Sequence, residues 1–334
     1  MALFTRGTIL CDVGEADDGV AITTRLTIIF AISVHGLPIT LKDQIAVAGV
    51  DSTLGFSHEA DKPDDVDASL VKILRAAGAI PFCKTNIPQT MLSFESSNPI
   101  FGRTTNPHDS ARTSGGSSSG EAAMLGSDGS ALGFGSDIGG SLRIPAHFSG
   151  CFGTSFNFVS PFVRSKLEPK FSLLLFLDST HIDANDDGDA TGFKPSAGRF
   201  STVGAKNPSK GFAGINSVLG PMGRSVADLK LACKVVFDAS ASLSHLEPVP
   251  PVPFREVELK NRLRIGYYFT DGFCRASPAS RRAVTECVDA LTKLGHDCVE
   301  FTPLSREQHF SFALLRSTHS PPPPAARTLF RTAR

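Results

Sequence analysis

The chain has 334 residues, enough to bury a full core in a single α/β domain. Hydrophobic residues make up 41% and charged residues 20%; Lys plus Arg and Asp plus Glu both number 33, so the formal net charge is zero and gives no electrostatic case for nucleic acid or a membrane surface. The seven cysteines are odd in number and form no CxxC pair, which predicts reduced, mostly buried thiols of an intracellular protein rather than a disulfide framework or a zinc site.

In chain order, the first apolar run is Leu26 to Val34, about half the length a membrane span needs. It lacks a basic leader and a small-residue cleavage site, so it predicts a buried strand running into Gly36-Leu37-Pro38 in a soluble, cytoplasmic protein. Residues 1–34 otherwise read as a short irregular segment. From Asp64 to Ala77, Val66, Leu70, Ile73, Leu74 and Ala77 recur at helical spacing, and Gly78 ends the run before a strand from Ala79 to Cys83. Asn106-Pro-His-Asp109 is a turn. Ser114 to Gly150 is rich in Gly and Ser, but Ala122, Ala123, Met124, Leu125, Leu132 and Phe134 break it at intervals. Those residues predict a helix after Gly120 and a strand over Ala131 to Phe134 rather than a flexible linker. Pro248 to Pro253 is a connector. Beyond it come a strand from Leu263 to Tyr268, a helix from Ser277 to Leu294 and a strand from Cys298 to Phe301. Residues 311–334, with Ser320-Pro-Pro-Pro-Pro-Ala325 followed by Arg327, Arg331 and Arg334, carry no core pattern and read as a disordered tail. Helices alternating with short apolar strands predict an α/β sheet covered on both faces.

Three residue groups carry chemistry. Lys42 lies between Ile39/Leu41 and Ile45/Val47. A lysine serves as a base only when neutral, and burial without a facing carboxylate favours that form; a drop of about three pKa units corresponds to about 4 kcal/mol of desolvation. The adjacent Asp43 faces the opposite way if this stretch is a strand. Ser141 follows Asp137-Ile-Gly-Gly140, where two glycines let the backbone turn sharply and aim N–H groups at one point, as an oxyanion hole requires. Ser117, in Gly115-Gly-Ser-Ser-Ser-Gly-Glu121, is the third group, a serine able to relay a proton between the other two. Gly116 to Gly120 also fits the G-x-S-x-G elbow with Ser118 as nucleophile, but that elbow follows a buried strand and Asn106 to Ser114 is polar and turn-rich. Neither glycine loop ends in the G-K-[ST] of a phosphate loop. His35 and His147 lie near the motifs and read as structural.

Three stretches resemble the amidase signature family: His35-Gly-Leu-Pro-Ile-Thr-Leu-Lys-Asp43, Gly115-Gly-Ser-Ser-Ser-Gly-Glu-Ala-Ala123, and Gly133-Phe-Gly-Ser-Asp-Ile-Gly-Gly-Ser-Leu-Arg-Ile-Pro145. Asp51-Ser-Thr-Leu-Gly55, Thr85-Asn-Ile-Pro-Gln-Thr-Met91 and Ser97-Asn-Pro-Ile-Phe-Gly102 are similar to its fatty-acid amide hydrolase and fungal general amidase branch. The resemblance runs from His35 to Gly153 and again from Phe193 to about Pro303. It implies a mixed twisted sheet with helices on both faces, and amide hydrolysis through a Ser-Ser-Lys triad and an acyl-enzyme. Ser141 is then the nucleophile, Ser117 the relay, held by a cis peptide bond, and Lys42 the base. Backbone N–H groups of Ile138, Gly139, Gly140 and Ser141 are expected at the oxyanion. Met91 is expected in the substrate pocket, with Asp137 and Arg143 bracing the loop and Ser118 assisting by hydrogen bonding. The implied partner is a small amide, with no metal or organic cofactor, no nucleic acid and no membrane span; a homodimer stays open. A transamidating subunit is a further family option.

Two departures stand beside the resemblance. Thr154 to Gly192 separates Phe152-Gly153 from Phe193-Lys-Pro-Ser, and removing it restores a continuous motif, so it reads as an insert without order of its own, such as an unspliced intron. The family pattern also continues beyond Pro303, which predicts a sheet incomplete at its C-terminal side. The alternative expectation is therefore an inactive or truncated family member.

Overall fold

The computed structural model describes residues 34–149, 153–156, 175–177, 191–208, 215–242, 252–256, 261–270 and 276–301. The expectations for Leu26 to residue 33, the bulk of 154–192, the Pro248–Pro251 part of the connector and the tail 311–334 lie outside these residues. The described residues all lie in one compact unit, residues 32–334.

Its centre is a seven-stranded mixed sheet. In chain order the strands are β1 (Pro38–Lys42), β2 (Ile80–Thr85), β5 (Leu132–Asp137), β6 (Gly153–Phe156), β7 (Leu175–Leu177), β8 (Thr191–Lys194) and β9 (Val218–Gly223). Their spatial order is β2-β1-β5-β9-β8-β6-β7. β1 lies parallel to both β2 and β5, whereas β9 runs antiparallel to β5 and to β8. A short hairpin, β3 (Ser97–Asn98) with β4 (Gly102–Arg103), stands apart from this sheet.

The helices are α1 (Ser69–Ala76), α2 (Ser119–Gly126), α3 (Arg143–Phe148), α4 (Val226–Ser242) and α5 (Pro278–Lys293). α1 buries Leu70, Ile73 and Leu74, three of the periodic residues that predicted it, together with Val71. It starts five residues later than expected, and Val66 is 66% exposed rather than in the core. The physical reason is a competing set of loop bonds: Asp64 N–H donates to the Val50 carbonyl and Ala48 N–H to Asp67 Oδ1. α1 packs against β2 and α4, and α4 against β8 and β9. α2 and α3 pack together, and Ala122, Leu125, Leu142, Ala146 and Met222 form their shared core with β9. Gly120 is required where α2 meets the end of β2, because a Cβ there would overlap the Asn86 backbone nitrogen and Thr85.

β1 is buried on both faces: Ile39, Thr40, Leu41 and Lys42 all have no exposed surface. Alternation places Ile39 and Leu41 on one face and Thr40 and Lys42 on the other. A polar pair fully buried at the centre of a sheet demands partners.

The second helix–strand unit forms as predicted, but its strands β10 (Arg264–Tyr267) and β11 (Asp297–Glu300) pair with each other in a separate parallel sheet. α5 packs on β11 and starts at a Ser277 cap whose Oγ accepts the Ser280 N–H at 3.1 Å. No residue of α5 is buried. Within the span expected to be an insert without order, residues 154–156, 175–177 and 191–192 belong to β6, β7 and β8 of the main sheet. Of the cysteines, Cys233 is buried while Cys83, Cys287 and Cys298 are half-buried, and all four are free thiols; Cys11, Cys151 and Cys274 lie outside the described residues. Among the described residues no helix is long and apolar enough to cross a membrane.

Candidate active site

β1 delivers Lys42 to the centre of the sheet, where its side chain is completely buried. Its Nζ lies 2.7 Å from Ser117 Oγ and 2.8 Å from Ser136 Oγ. Burial brings its pKa down from 10.5 to about 7, against the opposing pull of Asp137, Glu121 and Asp43. Asp43 itself turns away from Nζ. Its carboxylate accepts the Leu54 N–H at 2.8 Å, the Thr53 N–H at 3.2 Å and the Thr53 hydroxyl at 3.3 Å. The strand alternation that predicted this geometry thus leaves the lysine without a directly paired anion.

Ser117 sits in a turn just ahead of α2, preceded by the cis Gly116–Ser117 peptide bond, and is 1% exposed. Gly115 adopts φ +79, and a Cβ there would overlap the Pro145 backbone; a Cβ at Gly116 would overlap the backbone of Ser93 to Glu95. Glycine is therefore a steric requirement at both positions, and the 93–95 segment lies against the serine turn. That segment follows directly on the short turn Gln89–Met91, on which Met91 is half-buried with φ +60.

Ser141 lies on the loop between β5 and α3 and is half-buried. Asp137 shapes this loop. Its Oδ1 accepts the Gly140 N–H at 2.8 Å and its Oδ2 the Leu142 N–H at 3.1 Å. Arg143 completes the clamp with Nε on Oδ2 at 3.0 Å and Nη2 on Oδ1 at 3.1 Å. Burial alone pushes the Asp137 carboxyl up, but the hydrogen bond and charge of Arg143 and the two N–H donors outweigh it, so its pKa falls below the usual range. Gly140, expected to offer its N–H to an oxyanion, donates it to Asp137 instead. Ile138 and Gly139 are exposed at the tip of the loop.

Ser118 ties the two serine loops together. Its N–H donates to the Ser141 carbonyl at 3.1 Å, its Oγ to the Ser136 carbonyl at 3.3 Å, and the Ser136 N–H returns a bond to Oγ at 3.3 Å. A hydroxyl committed twice to one strand and fully buried is a brace, which removes the G-x-S-x-G elbow reading. His35 lies against Gly78 and His147 packs on the Phe148 ring, so neither joins the cluster.

Three functional residues escaped the sequence reading. Ser136 takes the second hydrogen bond of Lys42 and donates its own proton to Gln44 Oε1; Gln44 is oriented by its Nε2–H on the Lys206 carbonyl at 3.2 Å. Glu121 is fully buried on α2 between Thr40 and Thr85. The available signal was strand period for Thr40, the partner of Glu121, two residues before Lys42 on β1; Gln44 lies in the turn after β1, where that period does not apply.

Removing the Asp137 side chain leaves two loop N–H groups and a half-buried guanidinium without partners. Asp137→Ala is expected to cost about 2–4 kcal/mol in a urea titration and to erase reactivity at Ser141 together with it. Because the folded pKa is depressed, this stabilisation is complete above the unfolded value of about 3.9 and disappears as pH falls through the lower folded value. An unchanged unfolding midpoint would contradict the clamp.

The sequence model of the amidase family matches residues 31–155 and 189–320. Fatty-acid amide hydrolase 1 of Sus scrofa is 36% identical over 272 residues, covering 80% of this chain and 40% of that protein. Amidase 1 of Gibberella moniliformis is 36% identical over 270 residues, 79% of this chain and 44% of its own length. The acetamidase of Emericella nidulans is 35% identical over 281 residues, 82% and 44% respectively. A solved structure of fatty acid amide hydrolase superposes with a TM-score of 0.67 at 29% identity, over 85% of this chain and 43% of that one. The chain thus spans less than half the length of these relatives.

Proposed function

The chain belongs to the amidase family, and on that premise we propose that it hydrolyses a carboxylic amide to acid and amine through an acyl-enzyme on Ser141. The observation that carries this reading is a fully buried lysine 2.7 Å from a serine hydroxyl, with its own pKa lowered to about 7 and its neighbouring carboxylate turned away. Such an amine is neutral in a substantial fraction at physiological pH and can accept a proton.

Ser136 presents an acceptor to Nζ because its own proton points at Gln44. One N–H of neutral Lys42 then goes to Ser136, which leaves the lone pair for the Ser117 proton. Ser141 Oγ attacks the amide carbon while its proton passes to Ser117 and that of Ser117 to Lys42. The negative charge that develops on the carbonyl oxygen falls to N–H groups of the 138–141 loop other than that of Gly140. On collapse the C–N bond breaks, and the proton returns through Ser117 to the departing amine. Water then attacks the ester with the same relay reversed.

Leu92 and Phe94, 77% and 58% exposed, lie next to and on the 93–95 segment that packs against Gly116. Apolar surface beside the turn that carries the relay serine favours an amide with an apolar acyl group. This accords with the substrate named for the Sus scrofa relative rather than with acetamide. The test is labelling of the chain by a fluorophosphonate, followed by competition with a long-chain primary amide and with acetamide. Labelling that the long-chain amide suppresses at lower concentration supports the reading; a chain that does not label, or that acetamide protects better, overturns it.

A further inference from the structure

The mechanism leaves a fully buried carboxyl beside the base unused. Glu121 has no exposed surface, and it lies beside the base: Thr40, two residues before Lys42 on the same face of β1, and Thr85, the register partner of Lys42 on β2, both contact its carboxyl. Gly133, opposite Thr40 on β5, makes the room, since a Cβ there would overlap Glu121 Oε2. A carboxylate anion in this place would hold Lys42 in the protonated form and defeat it as a base.

Counting protons along the hydrogen bonds decides the state of the acid. Ser130 Oγ lies 3.0 Å from the Leu132 carbonyl, and a carbonyl only accepts, so the Ser130 proton points there. Ser130 Oγ also lies 3.3 Å from Thr40 Oγ1, and with its own proton committed it accepts from Thr40. Thr40 has then used its single proton, yet its oxygen lies 2.6 Å from Glu121 Oε2. That contact is a hydrogen bond only if Oε2 carries a proton and donates it. Thr85 donates to the other oxygen, Oε1, at 2.7 Å. All four contacts are satisfied together with Glu121 neutral, and one of them fails with Glu121 ionised.

We propose that Glu121 is a positioning residue held as the neutral acid by the chain Glu121–Thr40–Ser130–Leu132 carbonyl, so that Lys42 faces no anion at that point when it serves as base. This rests on Lys42 as the base of the reaction. Burial pushes the Glu121 pKa up to about 7, against donation from the Thr85 hydroxyl and the charge of Lys42. The ionisable groups around α2 are Lys42 and Asp43 on and just after β1, Cys83 and Lys84 on β2, Asp137 on β5, and Arg143 and His147 on α3; β9 carries none. Of these, Asp43 is held by the 53–54 loop, Asp137 is neutralised by Arg143, and Lys84 Nζ donates to the Asp51 carbonyl at 2.9 Å.

Two readouts test this without turnover, so failure of amide hydrolysis and failure of this assignment are separate events. In an infrared difference spectrum at neutral pH between the full chain and Glu121→Gln, the band lost is expected to be the carbonyl stretch of a protonated carboxylic acid. Loss of a carboxylate stretch instead overturns the proposal. The second readout is the Lys42 pKa, followed by NMR of labelled Cε in Thr40→Val. Valine cannot accept, so neutral Glu121 loses its partner and ionises more readily, and the new anion raises the Lys42 pKa by about one unit. Were Glu121 already an anion, the same substitution would remove a donor, favour its protonation and lower the Lys42 pKa. An upward shift that vanishes in the Glu121→Gln background supports the assignment; a downward shift, or none, overturns it.

Discussion

Ser141→Ala is expected to abolish fluorophosphonate labelling and to lower amide turnover by about four orders of magnitude or more, because no other hydroxyl takes its place. Ser117 is buried against Lys42, and Ser118 is committed to the β5 backbone. The fold should not register the change. The bonds that hold the loop come from the N–H groups of Gly140 and Leu142 to Asp137 and from the Ser118 N–H to the Ser141 carbonyl, all of which alanine retains. The unfolding midpoint is therefore expected to stay within about 0.5 kcal/mol of the parent. Persistent labelling in Ser141→Ala, mapped by peptide mass to another serine, would remove Ser141 as the nucleophile.

The second large effect has opposite signs for activity and for stability. Lys42→Met removes the base, and turnover is expected to fall by a factor of about 10²–10⁴ or more. The same change should stabilise the fold at acidic pH. The folded pKa of Lys42, about 7, lies below the 10.5 of an unperturbed lysine, so between these values the unfolded chain binds the extra proton. Stability therefore rises with pH across that window, and the cost of the buried ammonium is complete below about pH 7, on the order of 4–5 kcal/mol. Methionine fills similar volume without the charge. It forfeits the bonds to Ser117 and Ser136, at about 1 kcal/mol each. The net gain is about 2–3 kcal/mol at acidic pH and turns into a loss of about 2 kcal/mol at alkaline pH, where only the two lost bonds remain. Denaturant titrations of the two proteins at both extremes measure it. A variant less stable than the parent at acidic pH would mean that the amine is charged and well paired, and so not the base. In the parent, kcat/KM should rise through about pH 7 as Lys42 loses its proton.

Local pattern carried much of the fold. α1 and α5 followed from apolar spacing with Gly78 and Gly295 as stops, whereas the strand expected ahead of Gly36 falls on residues outside the described ones and β1 begins at Pro38. The start of α1 was not legible, because what unwinds residues 64–67 is a set of bonds to residues 48–50. Nor was the pairing of β10 with β11 outside the main sheet, since both strands have the same short apolar pattern as strands within it.

The site divides the same way. The identities of Lys42, Ser117 and Ser141, the glycines that let their turns form, and the membership of the family were all readable from covalent order, because each motif is contiguous. What the tertiary structure decided is the state of those groups. Lys42 meets Ser117 from 75 residues away and Ser136 from 94, and Glu121 meets Thr40 from 81. Only the folded sheet brings these together, removes them from water, turns Asp43 aside and assigns the Gly140 N–H to Asp137. Desolvation and the direction of each hydrogen bond are properties of that enclosure, and no stretch of sequence contains them.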